Sequence, residues 1–142
     1  MKIVQFHNPG SPDLAPHKSM FDENNIEFVQ YPEFLSMEEQ LKYCEGADAI
    51  ATSILKFPRE VIERLPDSVK CIVRTAMGYE IVDVEACSER GILVCNVPDY
   101  AMEEVAMHQV ALIMALCRKL KHYDLFVHSG EWTRQTMIHG YE

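Results

Sequence analysis

Short apolar runs alternate with helix-like stretches through most of the chain, and this alternation limits the fold more than any other feature. The runs are K-I-V-Q-F-H (2–7), I-E-F-V-Q-Y (26–31), A-D-A-I-A-T (47–52), V-K-C-I-V (69–73) and I-L-V-C-N-V (92–97). Each has the length and β-branched content of a buried strand. Between them lie a candidate helix over 13–24, with Pro16 as a break point, and a loop N-P-G-S-P at 8–12. S-M-E-E at 36–39 reads as a capping box, in which Ser36 caps and Glu39 reaches back. Met37, Leu41 and Cys44 then share one helical face. F-P-R-E-V-I-E-R-L (57–65) reads as a short helix with Pro58 in its first turn. Asp83 caps V-E-A-C-S-E-R, which Gly91 ends. Five strands separated by helices predict an α/β fold: a parallel sheet with helices on both faces.

From Glu103 to Leu120 the pattern changes. V-A-L-I-M-A-L-C, residues 110–117, is apolar on every face of a helix. A surface helix needs one apolar stripe. Leaving several such side chains in water costs several kcal/mol at ~25 cal/mol per Å². The expectation is therefore one long apolar helix, covered by a second domain, a second subunit or a larger core.

The balance of charge narrows the partners. The chain carries 22 acidic and 13 basic residues, a formal net charge of −9. That argues against nucleic acid and against an anionic membrane surface. No apolar run reaches the ~18 residues needed to span a bilayer, and Met1 leads directly into a strand. The five cysteines, Cys44, Cys71, Cys87, Cys95 and Cys117, contain no C-x-x-C. They read as reduced thiols of a cytoplasmic protein, without a metal site. The six histidines, His7, His17, His108, His122, His128 and His139, show no ligand spacing either.

In parallel sheets, ligands bind beyond the carboxyl ends of the strands. The loops after His7, Thr52, Arg74 and Val97 are the places to look. R-T-A-M-G-Y-E-I-V-D, residues 74–83, is the most suggestive, because successive N–H groups in a tight turn form an anion nest and glycine permits a positive φ there. An ordinary strand-to-helix turn is the plain alternative. Arg74 is expected to pair with a nearby carboxylate; adding positive charge to a pocket is its other role.

The stretch 69–100, the helix E-E-V-A-M-H-Q-V-A-L-I-M-A-L-C-R-K-L and G-E-W at 130–132 together resemble the D-isomer-specific 2-hydroxyacid dehydrogenases. The resemblance implies a flavodoxin-like substrate domain over 1–100, then a helix crossing into a nicotinamide-binding lobe over 101–142, and a homodimer through that helix. It implies hydride transfer between NAD or NADP and a small 2-hydroxy or 2-keto acid. A histidine and an arginine beyond the matching stretches would serve proton transfer and carboxylate binding, so no catalytic residue is assigned here. Ala76, Met77 and Gly78 match the carboxylate-binding turn. Ser53, Ile54 and Tyr100 match positions near substrate, and Met102 and Val105 positions near the nicotinamide. The chain departs from the family pattern at Ala76, where glycine is usual, at Glu80-Ile81 in place of Asp-Asn, and at Ala101-Met102 in place of Ser-Thr. The family's G-x-G-x-x-G cofactor motif does not occur in these 142 residues, so the segment alone is expected to bind no cofactor and to be inactive. His108 and Trp132 are expected to serve packing, Trp132 either in a core or against a dimer partner. Two non-enzymatic readings compete: a stand-alone small-carboxylate-binding or dimerisation module, and a phospho-receiver domain. The receiver needs an aspartate after the third strand, where Thr52 and Ser53 stand.

Overall fold

The computed structural model describes residues 1–7, 15–130 and 132. The loop 8–12, the first two residues of the expected helix at 13–24, Glu131 of G-E-W and His139 lie outside the described residues. The chain divides into two compact units, Met1–Pro98 and Asp99–Glu142.

In the first unit five strands form one parallel sheet: β1 (Lys2–His7), β2 (Glu27–Pro32), β3 (Ala49–Thr52), β4 (Cys71–Arg74) and β5 (Leu93–Cys95). Their order is β2-β1-β3-β4-β5, one of the common doubly wound orders. β1 and β2 keep the full length of their apolar runs, whereas β3, β4 and β5 are shorter; β5 keeps three residues of the six expected. The helices are α1 (Ala15–Glu23), α2 (Met37–Tyr43), α3 (Arg59–Ile62) and α4 (Val84–Glu89). Pro16 falls in the first turn of α1, where proline is tolerated, and does not break it.

Register explains which face is the core. Val29, Val4, Ile50, Ile72 and Val94 align across the sheet. Val4, Ile50 and Ile72 are fully buried, and they cluster with Cys44 and Ala47 after α2, Val61 and Ile62 of α3, and Ala86 and Cys87 of α4. The neighbouring file runs Phe28, Ile3, Ala49, Cys71, Leu93. Its cover is thinner: Phe21 of α1 stacks on Phe28 with ring centroids 4.4 Å apart, whereas Leu93 is 62% exposed.

Local signals behave as their chemistry dictates. Ser36 forms the full capping box with Glu39. Asp83 caps α4 by accepting from the Ala86 N–H at 2.8 Å. Gly91 adopts φ +67° and ends the α4 segment. Burial pushes the Cys44 thiol up to about 12 and the Cys87 thiol up to about 11, so both remain neutral core groups.

The second unit corrects an expectation. The single long apolar helix toward Leu120 is two helices, α5 (Met102–Cys117) and α6 (Leu120–His128). Lys119 stands between them with φ +50°, a left-handed conformation no helix interior accommodates. None of the α5 side chains is buried. Trp132 is 73% exposed, so it is not a core aromatic of this unit. No helix among the described residues is long and apolar enough to cross a membrane.

Ile50 lies in the central strand and is fully buried. Ile50→Ala should cost about 2–5 kcal/mol and Leu93→Ala less than about 0.5 kcal/mol, read by urea unfolding of each variant.

Candidate functional site

Beyond the carboxyl end of β4, the chain is stapled sideways before it turns. The Thr75 N–H and hydroxyl both donate to the Thr52 carbonyl, at 2.9 and 3.1 Å. The Ala76 carbonyl accepts from the Val97 N–H at 3.1 Å, and the Met77 carbonyl accepts from Asn96 Nδ2 at 2.7 Å. With those carbonyls committed to the end of β5, the N–H groups of Ala76, Met77 and Gly78 have no hydrogen-bond partner among the described residues. Three successive unclaimed donors at a strand end are the elements of an anion nest. A hollow of about 230 Å³ beside the turn is lined by Tyr79, Val84, Val94, Cys95 and Asn96.

Gly78 does not play the part expected of it. Its φ is not positive; the glycines with positive φ among the described residues are Gly46, Gly91 and Gly130. A Cβ at this position would collide with the carboxylate of Glu80, which lies against the turn. That negative charge opposes an incoming anion.

The expected pairing of Arg74 is also corrected. Arg59 is ion-paired with Glu89 at 2.7 Å, Arg64 with Glu38 at 2.9 Å and Arg90 with Asp67 at 2.7 Å. Arg74 makes no such pair among the described residues, and its buried Nε and Nη1 atoms have no hydrogen-bond partner. The acids near it in sequence are committed elsewhere or turned away: Asp83 caps α4 and Glu80 rests against Gly78.

The loop after β3 is already filled by the protein itself. Glu33, only 3% exposed, follows β2 and accepts from the N–H groups of Ser53 at 2.8 Å and Ile54 at 2.7 Å, both with Oε1. Its Oε2 is buried without a partner. The backbone donors of Ser53 and Ile54 are therefore occupied, and what remains for a ligand is side-chain contact from the exposed Ile54. Sequence reasoning missed Glu33, because an acid after a strand looks like any solvated acid until the fold buries it. Beside it runs an open cleft of about 340 Å³, lined by Glu33, Gln40, Ile54, Leu55, Pro58 and Val61 among others.

In the second unit Tyr100, Met102 and Val105 are exposed around the start of α5. Ala101 stands at the N-cap and supplies no side-chain hydrogen bond; the Asp99 carbonyl accepts from the Met102 N–H at 3.4 Å. Glu103 and Glu104 suit the positive helix end, and their charge disfavours a phosphate there. Met102 and Val105 present only apolar surface. No cluster of three or more His, Cys, Asp or Glu side chains that would hold a metal occurs among the described residues. Cys71 and Cys95 lie close enough to interact, and burial followed by that neighbour raises the Cys71 thiol pKa, which makes it a poor nucleophile.

Glu33→Ala leaves two backbone donors without their acceptor. It should lower stability by about 1–3 kcal/mol and speed amide exchange at Ser53 and Ile54, measured by hydrogen exchange.

Known proteins resemble this chain in sequence and in fold. The chain is 35% identical over 96 residues to hydroxypyruvate reductase of Blautia hydrogenotrophica, covering 68% of this chain and 30% of that protein. It is 33% identical over 115 residues to glyoxylate reductase of Pyrococcus furiosus, covering 80% and 34%. The fold overlays the NAD⁺-bound 3-phosphoglycerate dehydrogenase of Entamoeba histolytica with a TM-score of 0.70 and 26% identity, covering 84% of this chain and 40% of that one. The chain thus spans about a third of the length of these curated relatives. Residues 11–137 match the model of the D-isomer specific 2-hydroxyacid dehydrogenase catalytic domain, and the chain belongs to that family.

Proposed function

We propose that this chain is the substrate-binding portion of an NAD(P)-dependent D-2-hydroxyacid dehydrogenase, working on a small 2-hydroxy or 2-keto acid in the cytoplasm. In this reading residues 1–100 form a flavodoxin-like substrate domain, and 101–142 lead through a crossing helix into a nucleotide-binding domain. One observation carries it: the N–H groups of Ala76, Met77 and Gly78, at the carboxyl end of β4, have no partner among the described residues. Backbone donors of this kind suit a carboxylate, whose oxygens accept without needing a side chain of defined rotamer.

The roles follow from what each residue offers. Ala76, Met77 and Gly78 hold the acid's carboxylate. Ser53, Ile54 and Tyr100 touch the rest of the substrate, Ser53 and Ile54 through side chains alone because Glu33 holds their N–H groups. Met102 and Val105 supply apolar contact for a nicotinamide ring. NAD or NADP provides hydride transfer when bound in the complete enzyme. These residues give it no phosphate cradle, so this segment alone binds none.

The second reading is a stand-alone small-carboxylate-binding or dimerisation module. The unburied apolar surface of α5 favours it, since two copies of such a helix cover one another. The same contact serves a homodimer of the complete enzyme.

Two measurements test the proposal. The pure chain should show no NADH oxidation with glyoxylate, hydroxypyruvate or pyruvate; turnover would refute the proposal that it is inactive alone. Sedimentation should give a dimer of the 16.3 kDa chain if α5 is an interface, and a well-behaved monomer removes that role.

A further inference from the structure

The last two strands of the sheet set two sulfur atoms side by side. In the parallel register of β4 and β5, Cys71 stands opposite Leu93 and Val73 opposite Cys95. Residues opposite one another share a face, and so do residues two apart on one strand. Cys71 and Cys95 therefore project from the same face, on neighbouring strands, one diagonal step apart. Both are half-buried. Leu93, which neighbours both, is 62% exposed, so this corner of the sheet is open to solvent. Cys95 also forms part of the wall of the hollow beside Tyr79 and Val84. Burial raises the Cys71 thiol pKa first, and the Cys95 thiol adds to it, as two sulfurs within reach of each other do.

The span between them selects the chemistry. Strands ~4.8 Å apart with a rise of ~3.3 Å per residue place the two Cα atoms roughly 8 Å from each other. A disulfide favours about 5.5–6 Å, so direct oxidation would have to pull one strand out of register. An ion between the sulfurs replaces one bond of ~2.05 Å by two of roughly 2.3 Å, and lengthens the bridge by about 2.5 Å. That closes the gap. Structural zinc needs four donors, and no group of three or more His, Cys, Asp or Glu side chains that could hold a metal occurs among the described residues. A soft monovalent ion is satisfied by two thiolates. The remaining cysteines are placed differently: Cys44 and Cys87 are sealed in the core, and Cys117 is exposed at the end of α5.

We infer that Cys71 and Cys95 form a two-sulfur site for a soft, thiophilic monovalent cation of the Cu(I) class. Binding is ligand exchange without a change of oxidation state. Each thiol loses its proton, two metal–sulfur bonds form, and both protons pass to solvent. The many carboxylates of the chain do not compete, because they are poor donors to a soft ion. The site stands independently of the carboxylate reading of the 76–78 turn.

The test uses the full chain carrying Cys117→Ser, which removes the exposed thiol. Cu(I) is kept reduced with ascorbate and buffered by bicinchoninate. The expected result is one ion taken up per chain, with two protons released and an X-ray absorption spectrum showing two sulfur neighbours. Cu(I) should also protect Cys71 and Cys95 together from iodoacetamide, read by peptide mass. Cys71→Ser and Cys95→Ser should each surrender the ion to the chelator. Failure of the chain to take up Cu(I) overturns the inference, as does retention of the ion by either serine variant. A metal environment other than two sulfurs, or protection of one cysteine without the other, also overturns it. Should a serine variant fail to fold, the absorption spectrum and the protection pattern of the Cys117→Ser chain still decide the matter.

Discussion

Parallel pairing around one buried file of side chains is the constraint on which the first unit depends. Val4, Ile50 and Ile72 stand side by side on three adjacent strands and are closed from water by α2, α3 and α4. A shift of one residue in any of those strands would turn its apolar set to the other face, so the buried file sets the register. Register in turn sets the edge. Because every strand runs the same way, all their carboxyl ends emerge together, and Glu33, Ser53, Arg74, Ala76 and Asn96 are gathered from distant parts of the chain. The candidate edge is a by-product of burying isoleucine and valine.

Two turns on that edge face the same problem of backbone donors and meet it in opposite ways. At Ser53 and Ile54 the protein supplies its own carboxylate, Glu33, and the loop is closed. At Ala76 to Gly78 the carbonyls are tied to Asn96 and Val97 while the N–H groups are left over. The Glu33 arrangement shows what a carboxylate does on a pair of N–H groups in this fold. The second turn lacks an internal equivalent, for Glu80 touches the side of Gly78 rather than the donors.

The second unit presents a different balance. α5 carries the most apolar stretch of the chain and buries none of it within the unit. A helix with exposed Val105, Met107, Val110, Leu112, Ile113 and Leu116 is stable only where something covers it.

Much of this was legible in the residues because the controlling forces are local or periodic. Strand identity came from apolar runs, and the caps at Ser36 and Asp83 came from side chains that reach only their own helix. The break at Lys119 was not legible, since R-K-L has the composition of a continuing helix and only the backbone adopts φ +50° there. Gly78 was read as a positive-φ glycine, and its φ is not positive; only the flexible Glu80 carboxylate lies against it. Sequence by itself determined the α/β class, the elements and the apolar core, because those follow from side-chain period and solvation. Only the tertiary structure decided that Glu33 would be buried under Ser53 and Ile54, and that Arg74 Nε and Nη1 and three backbone donors would find no partner among the described residues. Hydrogen-bond satisfaction is settled between segments that pairing brings together, and no single segment contains that information.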